Sequence, residues 1–322
     1  MGINTSNPNK SMKDSLNELE CNELIFKINN VQKTQKLISS LKQDDYPYIK
    51  KLVLDFNEDI FDQFYASNTN PNQVFQSNLV FYPCELEELE MMFMCCHGLE
   101  NKTVTHFMKT VPNTLKSLQL NLFNCSGITD KCIEQVCLYL PRSLQRLSIN
   151  LGDCTKITQY SLYSIVNFLK KAQQRNQQIK CLELKFSWNE KITDQCFEQL
   201  IEAIDQKIQV LKISLPNCKN ISTQSYKVLY KNIGKFTSLE HLGINLLDTS
   251  NLIGSNSQKI LDSLPYSLKS CSLKFNKTID PKIKQILEQR FSQKYISSQS
   301  TIHSQHNSQT SLSDESQENN KQ

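Results

Sequence analysis

Apolar residues recur along most of this chain at one spacing. In residues 115–130, LKSLQLNLFNCSGITD, they stand at positions 1, 4, 6 and 8, with Cys at 11, Ile at 14 and Thr at 15. The phrase returns as LQRLSINLGDCTKIT from Leu144, IKCLELKFSWNEKITD from Ile179 and IQVLKISLPNCKNIS from Ile208. Alternation at positions 4, 6 and 8 predicts a short strand with one buried face. Looser copies begin at Ile49, Leu86, Leu239 and Leu268, and Cys271 fills a Leu position in the last. The eight starts, 49, 86, 115, 144, 179, 208, 239 and 268, are spaced by 37, 29, 29, 35, 29, 31 and 29 residues.

Between the strands the period changes. In TDKCIEQVCLYL, Ile133, Val136, Cys137 and Leu140 follow the i, i+3, i+4, i+7 stripe of an amphipathic helix. Thr129, Thr158, Thr193 and Ser222 precede these helices as N-caps. Asp130 and Asp194 then fall at the positive end of the helix dipole. Leu140-Pro141 and Leu264-Pro265 mark places where a helix cannot continue.

Each unit therefore reads as strand, turn, helix and return. One unit alone cannot bury its apolar face, but stacked neighbours share a continuous core. The expected fold is α/β: a solenoid of about eight units with a parallel inner sheet and outer helices. Helices are wider than strands, so the stack should curve into a horseshoe. Position 11 holds Cys125, Cys154, Asn189 and Cys218, where the chain leaves the strand and its backbone needs internal partners. A second column of small residues, Cys132, Ser161, Cys196 and Ser225, falls early in each helix, where bulk would push the helix off the sheet.

Composition adds boundaries. Residues 1–15 and 297–322 are polar and lack a periodic stripe, so both are expected to be disordered. Residues 16–48 are expected to form a helical N-terminal cap, 49–296 the repeat domain, and 57–78 an insertion. The repeat starting at Leu144 is longer, and KKAQQRNQQ at 170–178 should extend its outer helix. Twelve cysteines at repeating positions, without a secretory leader, point to reduced thiols in the cytoplasm. No apolar run approaches the ~20 residues of a membrane span. The net charge of +4 is too small to imply nucleic acid. It is uneven: residues 1–110 carry 10 basic and 15 acidic groups, and residues 111–322 carry 26 and 17.

Catalytic signals are scarce. The seven glycines make no phosphate loop, and no hydrolase, kinase or C-x-x-C pattern is present, so no enzyme activity and no cofactor are expected. Cys84, Cys95, Cys96, His97 and His106 are close in sequence, but Cys95 and Cys96 directly follow a strand, where packing explains them better than zinc. Met1-Gly2-Ile3-Asn4-Thr5-Ser6 matches the N-myristoylation pattern, so Gly2 is either an acylation site or an ordinary chain start. A single acyl chain would give only weak membrane association.

The residues between the strand leucines face away from the core, on the concave side. They run from Glu88 and Glu90 through Gln119, Asn121, Arg146 and Asn150 to Glu183, Lys185, Lys212, His241, Asn245 and Lys274. This face passes from acidic to polar to basic. A rigid surface with varied side chains loses little ordering entropy on docking, which suits a protein partner. Trp188, just beyond a strand, is either the best single anchor candidate, since aromatic anchors dominate interface energetics, or a turn residue packed on its neighbours.

The strand phrase and the near-29 spacing resemble leucine-rich repeats of the ribonuclease-inhibitor-like type. Cys125-Ser-Gly-Ile128-Thr129-Asp130 resembles the cysteine-containing subtype common in F-box proteins, and the resemblance covers roughly residues 49–290. The Asn-, Gln- and Lys-rich composition resembles that of ciliate proteins. The family includes inhibitors, GTPase activators, ubiquitin-ligase receptors and scaffolds. The resemblance thus implies a monomeric, non-catalytic scaffold that binds a protein. Its alternative is a substrate-recognition subunit of a cullin-type ubiquitin ligase, with Leu16 to Ile28 faintly similar to an F-box. Regulation of a small GTPase is a third reading.

Overall fold

The computed structural model describes residues 22–28, 49–56, 82–249, 256–275 and 285. Among these residues, nine strands form one sheet in strict sequence order, every neighbour parallel. They are β1 (Glu23–Ile28), β2 (Lys51–Phe56), β3 (Glu88–Met92), β4 (Ser117–Asn121), β5 (Arg146–Asn150), β6 (Cys181–Lys185), β7 (Val210–Ser214), β8 (His241–Leu246) and β9 (Ser270–Phe275). The helices are α1 (Asn101–Lys109), α2 (Asp130–Tyr139), α3 (Gln159–Gln174), α4 (Asp194–Ala203), α5 (Thr223–Asn232) and α6 (Asn256–Ser263). This is a leucine-rich-repeat solenoid.

The alternation sets the register. Leu52, Leu89, Leu118, Leu147, Leu182, Leu211, Leu242 and Cys271 pair in one continuous column, and all are buried. A one-residue slip at any strand would turn its leucines out of the core, so each repeat locks the next. Position 8 continues the core as Phe93, Leu122, Leu151, Phe186 and Leu215, all buried.

Two expectations change. Among the described residues the sheet has nine strands rather than eight, because residues 23–28 of the expected helical cap form β1, paired with β2 throughout. Leu24 and Phe26 are core residues there. Cys21, Leu24, Phe26 and Ile28 repeat the 1, 4, 6, 8 spacing, with Cys in place of the leading Leu. The segment similar to an F-box therefore ends in β1, a strand of the solenoid's own sheet. The rest of that cap, the insertion, both terminal segments and Gly2 lie outside the described residues.

The helix starts are tied across repeats. Thr158 and Ser222 accept from the backbone N–H two residues on, as expected of N-caps. Thr193 pairs instead with Cys196 in a capping box. Thr129 caps nothing with its own side chain, and its Oγ1 accepts from Asn101 Nδ2 at 2.8 Å. Asp130 does more than face its helix dipole. Its carboxylate accepts from Thr158 N and Oγ1 and from Ser161 N and Oγ, at 2.6 to 3.1 Å. Asp194 makes the same four bonds to Ser222 and Ser225. Serines 161 and 225 are thus small because a carboxylate from the preceding repeat reaches them.

The turns after the strands carry a second ladder. The Sγ–H groups of Cys125, Cys154 and Cys218 donate to the carbonyls of Phe93, Leu122 and Phe186 in the preceding repeat, each at 2.9 Å. Asn189 reaches Ile157 O at 2.9 Å. Burial pushes the Cys154 thiol up to about 11 and that of Cys218 to about 12, so both donate as neutral S–H groups. The longer repeat behaves as expected: α3 has 16 residues where its neighbours have 10, and Lys170, Lys171 and Arg175 are exposed.

Candidate partner-binding face

The concave side chains form three columns, set by the strand register. The column at the strand ends is largely consumed by the fold. Asn121 and Asn150 accept from the backbone N–H of Phe123 and Gly152, each at 3.1 Å, and Asn150 Nδ2 donates to Asn121 Oδ1 at 3.0 Å. Asn245 accepts from Leu247 N at 3.3 Å and donates to Ser214. These three asparagines stand on the predicted face, but their polar groups close the turns below it.

The acidic end of the face is occupied in a similar way. Lys51 bridges Glu23 at 2.8 Å and Glu90 at 3.2 Å, and these two carboxylates raise the Lys51 ammonium to about 12. Glu88 is half-buried on β3, and Gln119 Nε2 lies 3.7 Å from Met92 Sδ.

The basic end is different. Arg146, Glu183, Lys212 and His241, predicted as separate contacts, line one open groove of about 730 Å³ across the starts of β5 to β9. Its floor includes Val210, Gly243 and Ser272. A Cβ at Gly243 would lie 3.1 Å from Lys212 Cγ, so the missing side chain keeps the floor open beside the lysine stem. Lys212 Nζ meets Glu183 Oε1 at 2.5 Å, and His241 Nδ1 lies 2.7 Å from Ser270 Oγ. Arg146 and Lys180 make no ion pair among the described residues. Lys180 is new to the site. It precedes the strand by one residue, outside the alternating concave positions.

Cys181 lies half-buried in the same groove, and desolvation pushes its thiol up to about 11. Lys185 is exposed and Lys274 half-buried, both toward the other ends of their strands. Among the described residues, no group of three His, Cys, Asp or Glu residues could hold a metal ion. No described helix is long and apolar enough to cross a membrane.

Trp188 sits apart from the groove, beyond the far end of β6. It is 62% exposed, and its backbone is left-handed, with φ of 61°. Cys95, Asn124, Asp153, Asn217 and Asp248 share that conformation at the matching turn. Asn and Asp tolerate it because their side chains bond locally, whereas a Trp there costs backbone energy. Its place just beyond a strand was legible in the sequence, and its left-handed backbone was not.

No family model matches the chain, and no curated protein matches it. Solved structures with a similar course include the tropomodulin C-terminal domain of Caenorhabditis elegans, 10% identical, covering 61% of this chain and 100% of that one, with a TM-score of 0.38. A yeast Rad7 and Elc1 complex is 13% identical over 80% of this chain and 76% of that one, with a TM-score of 0.41. The leucine-rich-repeat-containing protein LegL7 of Legionella pneumophila is 14% identical over 84% and 78%, with a TM-score of 0.43.

Proposed function

We propose that this chain is a non-catalytic scaffold, acting as a monomer in the cytoplasm, that holds a protein partner on its concave face. The observation that carries the reading is the groove over β5 to β9, where Arg146, Glu183, Lys212 and His241 converge, and where Arg146 and Lys180 have no ion partner among the described residues. The regular strands that build it give a rigid wall, so docking loses little conformational entropy. Elsewhere on the face the asparagines serve the turns, and the acidic strands pair with Lys51. Trp188 is a second anchor at the rim. Acylation at Gly2 would place the scaffold weakly on a membrane.

Affinity purification from the native cell tests this. Arg146→Glu with Lys180→Glu should remove the main co-purifying protein. Lys102→Glu with Lys131→Glu, on the outer helices, should leave it. Loss from the outer pair and retention with the concave pair would overturn the reading.

A further inference from the structure

We infer that the groove over β5 to β9 recognises an acidic, extended segment of its partner, with carboxylate side chains seated on Arg146 and Lys180. This rests on the concave-face reading above and names the chemistry of the occupant.

Charge complementarity is the first argument. Within the strands, β1 to β4 carry Lys27 and Lys51 against Glu23, Asp55, Glu88 and Glu90. Strands β5 to β9 carry Arg146, Lys185, Lys212 and Lys274 against Glu183 alone. The single acid is already engaged by Lys212. Arg146 and Lys180 therefore have no internal anion among the described residues, and both border the groove.

Shape is the second. Five strands at ~4.8 Å spacing span ~19 Å, the length of about six extended residues. The floor is low where a chain would lie, because Gly243 carries no side chain and Val210 and Ser272 are short. Extended peptides offer backbone N–H groups between their side chains, and Glu183 can accept one of these. A polyanion of uniform charge, such as a nucleic-acid backbone, would instead meet the Glu183 carboxylate in mid-groove. That contrast favours an acidic peptide over nucleic acid.

The test is fluorescence anisotropy with a short labelled peptide of alternating Glu and Ser and the full chain. Binding should weaken as salt rises, because rim charges act through a screened field. Arg146→Glu with Lys180→Glu should weaken it at least about tenfold, and a Lys and Ser peptide should not bind. Gly243→Gln keeps the charge but fills the floor, and it should weaken binding several-fold, whereas a diffuse positive patch would not respond. Lys102→Glu with Lys131→Glu should change nothing. Equal losses from both charge-reversal pairs, or an indifferent Gly243→Gln, would overturn the inference. So would tighter binding of a single-stranded oligonucleotide of matched charge. The chain's own Asp314, Glu315 and Glu318 are the competing occupant. If neutralising them to Asn and Gln raises peptide affinity, the groove is filled in cis and the inference falls. If the native partner still depends on Arg146 and Lys180 while the acidic peptide fails to bind, the scaffold reading stands without this refinement.

Discussion

The helix starts and the concave groove are built by the same repeats, yet they use polar side chains in opposite ways. At the helix starts, Asp130 and Asp194 each spend both carboxylate oxygens on the next repeat. In the groove, Arg146 and Lys180 find no ion partner among the described residues. A solenoid needs neighbour-to-neighbour bonds to hold its stack, and a binding face needs groups that the stack does not consume. The polar residues tied to neighbours mark architecture, and the cations left over among the described residues mark the proposed site.

The contrast breaks most visibly at high pH. Burial raises the thiols of Cys125, Cys132, Cys137, Cys154 and Cys218, the last to about 12. In each case the folded state favours the neutral thiol. That stability is present in full below the unfolded thiol value and is lost as pH rises through the folded one. Each such group removes ~1.4 kcal/mol per pH unit above ~8.5 until its folded value is reached. Urea midpoints should therefore drop steeply between pH 8 and pH 10. A flat profile would mean that the stack does not bury these sulfurs as described. Cys181, half-buried in the groove, should alkylate before the buried Cys125, Cys132, Cys154 and Cys218.

Asp194→Ala comes next. It removes four hydrogen bonds, two of them from the backbone N–H groups of Ser222 and Ser225. Bonds to charged groups and stranded buried donors place the loss at ~3 kcal/mol, measured by urea unfolding. Peptide binding in the groove should survive at low denaturant. A loss below ~1 kcal/mol would show that the inter-repeat bond adds little beyond hydration.

How far these two regions could be read in advance differs for a physical reason. Strand alternation reports only which way a side chain faces, so β2 to β9 and the concave columns were legible from it. It cannot report what a facing group bonds to. Asn121 and Asn150 look like contacts until the turn amides at Phe123 and Gly152 claim them. Likewise, Asp130 looks like a helix-dipole residue until Ser161 of the next repeat appears beside it. The groove itself was less legible still. Its openness depends on Gly243 lying next to the Lys212 stem, a contact between residues 31 positions apart. Strand β1 was missed for a different reason: Cys21 stands where the other repeats begin with Leu or Ile, and no Cys-x-x-Ile-Thr phrase follows it.

Trp188 separates the two uses within one residue. Replacing it with Asn, the residue at the matching turns of Asn124 and Asn217, should raise stability by ~1 kcal/mol by relieving the left-handed penalty. The same change should weaken native-partner recovery if the ring is a rim anchor. Unchanged or lower stability would mean that the ring packs on its own turn and offsets the backbone cost.

The smallest expected change in stability is also the sharpest test of the groove. Glu183→Gln removes the ion pair with Lys212, whose side chains are 52% exposed for the lysine and 23% for the glutamate. Exposed pairs contribute little, so unfolding should shift by less than ~0.5 kcal/mol. Binding should move the other way. With Glu183 neutral, Lys212 Nζ joins Arg146 and Lys180 as a free cation, while the amide oxygen can still accept from a peptide N–H. Acidic-peptide affinity should then rise several-fold and fall more steeply with salt. A drop in affinity would mean that the carboxylate itself contacts the ligand, and it would point to a partner segment that brings its own cation to the groove.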